Sequence, residues 1–358
     1  MIEKIKISNF KIFKSLTLDD LHQITLISGK NNVGKSTLLE AIFFSNDYFN
    51  SESFIKINNI RVAANTLRTD IWKSFINVYS EISSFEIEKV ENGIKKNISV
   101  ELSNNRNITA HSPLDSTNFV EAQVSEKTND NRIITHQLSI SASDEKNKDT
   151  LQYFVKFDGQ IQTVSNSSPD NPLRNCTYTS FISSKSMNWP LLAEMLGRLD
   201  MEGKINDVVK ALQILDPEII GIKIFVQNSV IRLYASMNNG RSMPIDHMGD
   251  GICKLIAICV LILSNPNSLI LVDEMENGFH YSAHKKIWEA VYEAAKISNV
   301  QVIATTHSYE CIKGASEAMD ENEDFGYIRL DNVSDNIVAK SMSSKQLKIA
   351  IESNLEVR

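Results

Sequence analysis

Apolar residues along this chain change their period several times, and the changes mark out its elements. In "IEKIKISNF", from Ile2, apolar and charged residues alternate loosely, as on a half-buried strand. "KSLTLDDL" predicts a second strand and a turn, and "ITLISG", Ile24 to Gly29, is a continuous β-branched run closed by glycine, the pattern of a buried strand. Leu38, Leu39, Ile42 and Phe43 then recur at helical spacing. Strand, glycine loop and helix in that order open an α/β domain.

From residue 51 to 188 the pattern weakens. "NISVELS", "RIITHQLSIS", "LQYFVKF" and "QIQTVS" predict short strands, separated by polar stretches such as "EKTNDNR" and "SDEKNKDT" that favour turns. Helical spacing returns over Pro190 to Leu215, followed by "IIGIKIFV" and "VIRLYASM", which alternate like a hairpin, and by "NNGRSM". The last third reads as an apolar helix from Gly251 to Leu263, the turn "SNPNS", a strand "LILVDE", a helix from about Ser282 to Ile297 and a strand "VQVIATTHS". Alternating helices and strands predict a mostly parallel core sheet with right-handed crossovers. No internal repeat or sustained heptad is visible, so no long coiled-coil arm is expected. The expected organisation is one α/β domain in two lobes. Residues 1–50 carry the glycine loop, 51–188 form an antiparallel β sub-domain, 189–250 hold the helical sub-domain and the hairpin, and 251–358 form the second lobe and tail.

Composition and charge narrow the function classes. With 358 residues, 42% hydrophobic and 23% charged, the chain has length for about two domains of ordinary globular make-up. A net charge of −7 excludes a chain that is basic throughout, so DNA contact would need a local patch. Lys4, Lys6, Lys11 and Lys14 are the candidates for one, and suit a solvated strand edge equally well. Cys176, Cys253, Cys259 and Cys311 are scattered without a CxxC pair, which predicts a reducing cytoplasm and no structural zinc; Cys253 and Cys259 read as small core residues. The opening segment is unlike a signal peptide. The run Ile252–Leu263 is broken by Lys254 and shorter than the roughly 20 residues of a membrane span.

Candidate chemistry lies at three places. "GKNNVGKS", Gly29 to Ser36, matches G-x-x-x-x-G-K-[ST] between a predicted strand and helix, the context a phosphate-binding (Walker A) loop requires. Backbone N–H groups of Gly29, Asn31, Asn32, Val33 and Gly34 would wrap phosphates at the helix's positive end. Lys35 would reach the β- and γ-phosphates, Ser36 would bind Mg²⁺, and Thr37 closes the segment. Second, "LILVDE" ends in Asp273, suited to hold Mg²⁺, and in Glu274, suited to orient or deprotonate an attacking water. Third, His307 ends the "ATTHS" strand and would project into the same crevice, towards the γ-phosphate or the water. His280 and His284 stand at i, i+4, a spacing that suits metal, but without a glutamate between them a solvated helix face is the better reading.

Together "GKNNVGKST", "LVDEMENGFH" and "ATTHS" resemble the ABC-type ATPases of the SMC and RecF class, and more narrowly the AAA-15/AAA-21 families related to OLD-type ATPases. The resemblance covers residues 1–45 and 190–358 well and the middle poorly. It implies ATP and Mg²⁺ as cofactors, and a homodimer or higher oligomer closed around ATP. "HMGDGICKL" lies about two dozen residues before Asp273, where such ATPases carry the signature segment, so Gly249 and Gly251 would contact the γ-phosphate held by a second subunit. Asp250 stands where relatives have a small neutral residue, and its side chain suits an N-cap of the next helix. The resemblance also implies a Q-loop glutamine; Gln123, Gln152, Gln160 and Gln162 are the candidates.

Many OLD-type relatives carry a C-terminal TOPRIM nuclease, but only 51 residues follow His307 here, so a separate effector, a nuclease or toxin, is expected, in anti-phage defence or DNA transactions, with no membrane partner. A transporter subunit would show LSGGQ, a GTPase would show N-K-x-D where Asn147–Thr150 reads "NKDT", and a nearly inactive ATP-binding scaffold would tolerate loss of Glu274.

Overall fold

The computed structural model describes residues 1–61, 75–76, 83–103, 108–109, 133–156, 161–165, 167–168, 170–183, 188–228, 230–334 and 336–358. The chain opens with β1 (Ile2–Phe10), β2 (Phe13–Leu18), β3 (Ile24–Gly29), α1 (Lys35–Asp47) and α2 (Glu52–Arg61). Strands β4 (Ser84–Glu91), β5 (Ile94–Ser103), β6 (Ile108–Thr109), β7 (Ile133–Ser143), β8 (Lys148–Lys156), β9 (Ile161–Ser165) and β10 (Thr179–Ile182) follow. Next come α3 (Trp189–Met201), α4 (Ile205–Leu212), β11 (Ile219–Gln227), β12 (Val230–Met237), β13 (Ser242–Pro244) and α5 (Asp250–Ser264). The chain continues with β14 (Leu269–Val272), α6 (His284–Ile297), β15 (Gln301–Thr305), α7 (Tyr309–Ala318), β16 (Phe325–Val333), β17 (Asn336–Ser343) and α8 (Ser344–Glu352). Contacts gather them into two compact units, one of Met1–Lys4, Leu18–Leu39 and Thr177–Arg358, the other of Ile5–Thr17 and Glu40–Cys176.

The first unit is built on a six-stranded sheet in the order β10-β14-β15-β3-β16-β17. Every neighbouring pair from β10 to β16 is parallel, and β17 closes the sheet antiparallel. Residues of β3, β14 and β15 are buried throughout, which is why their sequences are unbroken apolar runs: a parallel strand is covered on both faces. Helix α5 is buried at every position from Gly251 to Leu263, as expected of a helix apolar all round. Among the described residues no helix is long and apolar enough to cross a membrane. The helical stretch 190–215 resolves into α3 and α4, and β11, β12 and β13 form a separate antiparallel sheet. The tail returns to the parallel sheet: Ser28 Oγ donates to Val357 O at 3.1 Å, and the Tyr327 hydroxyl bonds the same carbonyl.

The second unit carries a sheet in the order β2-β1-β4-β5-β7-β8-β9, with β6 beside β7, and its pairs from β4 to β9 are antiparallel. Strand β1 thus pairs beside β4, whereas β3 lies in the parallel sheet. Its core is aromatic: Phe10 meets Phe85 at 5.0 Å, Phe44 meets Phe54 at 4.9 Å, and Phe54 meets Phe75 at 5.2 Å between ring centroids, tilted or edge-on as the ring quadrupoles favour.

Lys11 is not a DNA-facing side chain. It is 8% exposed, its Nζ lies 2.8 Å from Glu40 Oε2, and the amine sits 4.6 Å from the centre of the Phe75 ring. Residue 11 has a left-handed backbone that turns the amine inward. Lys6 and Lys14 remain exposed, and Lys4 pairs with Asp19 at 2.5 Å. His284 departs from the solvated-face reading as well: it is 3% exposed, packed against Gly314.

Replacing Lys11 by Met removes the 2.8 Å ion pair to the fully buried Glu40 carboxylate; the expected loss is about 3 kcal/mol in urea unfolding of the whole chain. Cys253, Cys259 and Cys311 are buried, and burial pushes their thiols up to about 11, 12 and 12. A thiol titration at pH 8 should leave these cysteines unmodified until denaturant is added.

Candidate functional site

Strand register decides what meets at this site. Val272 pairs with Ala304, Thr305 pairs with Ile27, and Leu330 of β16 pairs with Gly29, so β14, β15 and β3 end at one edge of the parallel sheet, which β16 flanks. The carboxyl-terminal edge of a parallel sheet is where open α/β folds place their ligands. Gly29 turns the chain out of β3 with its Cα against the next strand. An added Cβ would lie 2.5 Å from Leu330 O, so no side chain fits there. Past it, Asn31 and Asn32 are exposed, Val33 and Thr37 are buried, and Gly34 and Ser36 are half-buried at the start of α1. Lys35 Nζ donates to Gly29 O at 2.7 Å and Lys30 O at 3.0 Å, which holds the amine over the loop. Burial lowers the Lys35 pKa, against the opposing charges of Glu276, Asp273 and Glu274.

The paired carboxylates are fastened through their backbone. Strand β14 stops at Val272, and the Asp273 N–H donates to Ile182 O at 2.9 Å. Thr305 Oγ1 donates to Asp273 Oδ1 at 2.6 Å and accepts the Glu274 N–H at 2.9 Å. Glu274 has a left-handed backbone, φ 50°, uncommon for a side chain of its length. Its carboxylate accepts from Asn277 Nδ2 at 2.6 Å. The Asp273 carboxylate is 8% exposed while Glu274 is partly open, the difference expected between a group held near a cation and one that meets water.

His307 follows the end of β15 at the same edge. Its Nδ1 lies 2.7 Å from Glu276 Oε1, and the same oxygen accepts the His307 N–H at 2.7 Å. Nδ1–H donating to this carboxylate leaves Nε2 as the ring atom free to act. Sequence reasoning missed Glu276, whose other oxygen is buried without a partner among the described residues. It missed Lys254 too. That amine, 4% exposed inside the apolar α5, donates to Asp273 O at 3.1 Å and Glu274 O at 2.5 Å. The signal for it was in plain view, since a lone cation inside a fully buried run needs acceptors.

Helix α5 begins differently from the expectation. Asp250 is its first residue, and the N-cap is Gly249, φ 102°, with no side-chain cap bond. Gly251 lies against the loop after the carboxylates: an added Cβ would meet Gly278 O at 2.3 Å, and one on Gly278 would meet Gly251 N at 2.7 Å. Gly249 has open space around it. His280 caps a short 3-10 turn by accepting the Ser282 N–H, and among the described residues no group of His, Cys, Asp and Glu is gathered to hold a metal. The oxygens of Ser36 and Asp273 are the hard donors a Mg²⁺ beside phosphates would use. Of the glutamine candidates, Gln123 and Gln160 lie outside the described residues, and Gln152 and Gln162 are on β8 and β9 of the second unit. "NKDT" falls at the β7–β8 turn, where Asn147 N–H donates to Asp144 Oδ1 at 2.6 Å, a local turn bond.

The family described as "AAA domain, putative AbiEii toxin, Type IV TA system" matches residues 24–312, which span all three motifs. The chain belongs to this AAA-21 family. A relative named "ATP/GTP phosphatase" from Helicobacter pylori (strain ATCC 700392 / 26695) is 22% identical over 353 positions, covering 90% of each chain. Among solved structures, an SMC head bound to the C-terminal winged-helix domain of ScpA superposes with a TM-score of 0.54 at 14% identity, over 96% of this chain and 98% of that one. An SMC head with an extended coiled coil, bound to a C-terminal ScpA domain derived from Pyrococcus furiosus, gives 0.54 at 12% identity over 99% of both. At such identities these structures speak for the fold. Family membership makes this AAA-21 chain an ATPase, and its fold is that of the SMC heads.

The two glycines of α5 should fail differently. Gly251→Ala drives a methyl into the Gly278 carbonyl and is expected to lower the melting temperature and turnover together. Gly249→Ala meets no atom and bears only its backbone strain, about 1–3 kcal/mol. A larger loss of thermal stability in Gly249→Ala than in Gly251→Ala would contradict this packing.

Proposed function

We propose that this ATPase is a molecular switch that binds MgATP at Gly29–Thr37, dimerises around it, hydrolyses it slowly and controls a separate effector. The observation that carries the reading is the arrival of Lys35, Asp273, Glu274 and His307 at one sheet edge through the shared register of β3, β14 and β15. In this reading Lys35 leaves the carbonyls of Gly29 and Lys30 for the β- and γ-phosphates, as a cation exchanges weak acceptors for charged ones. Ser36 and Asp273 hold Mg²⁺, which supplies charge neutralisation at the phosphates. Glu274, partly open and held on a fixed backbone, orients the water and takes its proton. His307, steadied by Glu276, presents Nε2 to the γ-phosphate.

The dimer follows from the uncapped start of α5. Helix N-termini favour anions, and Gly249 and Asp250 at the start of α5 are exposed with no side-chain cap bond, which supports a phosphate brought to that end by a second copy. Asp250 is the residue that opposes this, and its exposure lets the carboxylate turn to solvent. The SMC-type fold supports the same arrangement. The family description, with its toxin of a type IV system, supports an effector partner and a role in bacterial defence, and the exposed Lys6 and Lys14 leave DNA as a second partner to test. GTP is the second nucleotide to consider, because the Helicobacter relative is named for both; no guanine-reading motif favours it here.

Glu274→Gln is expected to slow ATP turnover at least about 100-fold while retaining nucleotide, and to accumulate an ATP-bound dimer in light scattering. Undiminished turnover, or a monomer at saturating ATP, would sink the mechanism or the dimer respectively. Removal of Mg²⁺ by EDTA should abolish phosphate release and excess Mg²⁺ restore it. Parallel assays with ATP and GTP decide the base preference.

A further inference from the structure

Helix α5 is attached to the carboxylate segment at two points on one face. Gly251 and Lys254 are three residues apart, hence neighbours on the helix surface. Gly251 abuts the Gly278 carbonyl, and Lys254 Nζ reaches the carbonyls of Asp273 and Glu274. The segment 273–278 is therefore gripped at both ends by the start of α5. Glu276, between the two grips, holds His307. The backbone of the Asp-Glu pair is fully bonded: Ile182 O takes one N–H, Thr305 Oγ1 takes the other, Lys254 serves both carbonyls, and the Asn277 N–H shares that of Glu274. A buried polar group costs free energy unless it is bonded, and a hydrocarbon side chain at 254 would orphan the Asp273 carbonyl and leave the Glu274 carbonyl only the Asn277 N–H, beneath a left-handed glutamate. An amine in the middle of a wholly buried apolar helix has no solvation to gain, so its place is explained by these acceptors.

We propose that Lys254 is a positioning residue that welds the start of α5 to this chain's own Asp273–Glu274 turn, so that a nucleotide held by a partner at the exposed Gly249 end of α5 sets the aim of this chain's Glu274. The inference rests on the dimer reading above. Each half-site of one chain is then mechanically coupled to the other half-site of the same chain, and ATP arriving at one composite site prepares the second.

The test uses the full chain. Lys254→Met should lower kcat about 10- to 100-fold with the KM for ATP within about twofold, and should remove cooperativity in ATP. Lys254→Arg, which keeps two N–H donors, should recover part of kcat. If Lys254→Met does not fold, Lys254→Gln carries the same readouts. Two mixed dimers then separate action on the chain's own carboxylates from action across the interface. In one, Lys254→Met and Glu274→Gln share a chain beside an unaltered copy; in the other, each chain carries one of them. The first should turn over ATP through the unaltered copy's carboxylates, and the second should be slower than the first by about the factor by which Lys254→Met lowers kcat. Equal rates, the reverse order, or an unchanged kcat in Lys254→Met overturns it. Absence of an ATP-dependent Glu274→Gln dimer would instead defeat the dimer reading, and the kcat of Lys254→Met would still decide whether the amine positions Glu274.

Discussion

Parallel pairing in one common register is the constraint on which the first unit depends. A parallel strand runs the same way as its neighbour, so once Ile24–Ile27 of β3 aligns with Val302–Thr305 of β15, and Leu269–Val272 of β14 with Gln301–Ala304, the chain must leave all three strands at one edge. Loop, carboxylates and histidine arrive together for that reason, though they lie far apart along the chain. A slip of one residue in β15 would turn the Thr305 hydroxyl to the other face and break its bonds to Asp273 and Glu274. Burial of these strands on both faces makes such a slip costly, so the side chains at this edge inherit their precision from apolar packing.

Polar groups at the edge are then secured by complete bonding. The Asp273–Glu274 peptide units are satisfied by Ile182, Thr305 and Lys254, each from a different element, with Asn277 adding a local N–H to the Glu274 carbonyl. Glu276 fixes the ring of His307 through one oxygen. A site held by backbone bonds to rigid neighbours needs little reorganisation when charge develops, which is the arrangement favoured for phosphoryl chemistry. The second unit follows a different logic, with an aromatic core and buried ion pairs such as Lys11–Glu40 and Arg174–Asp149 in place of extended parallel pairing.

Legibility along the chain followed the strength of local signals. β3, α1, α5, β15 and the β11–β12 hairpin stood out because burial on both faces, helical spacing or alternation leaves a period in the sequence. β10, four residues long, has no period to read, and it becomes a strand by adding to the edge beside β14. β16 and β17 mix apolar and charged residues, and they pair as an antiparallel hairpin with β16 docked on β3. Lys11 misled as a surface cation, because nothing in "KIKISNFKIFK" announces that a left-handed residue 11 will turn its amine onto Glu40 and Phe75. Asp250 misled as a cap, because helix α5 starts one residue earlier than a cap at 250 allows.

By itself the sequence determined the glycine loop between strand and helix, the acidic strand end and the alternation of strand and helix, since these are local patterns enforced by backbone geometry and burial. Tertiary structure alone decided which residues support them. Glu276 under His307, Lys254 under the carboxylates and Gly278 against Gly251 are contacts between residues distant in sequence or facing across separate elements. Such partners are chosen by where a folded backbone leaves an unpaired donor, acceptor or gap, and no periodicity in one dimension encodes that choice.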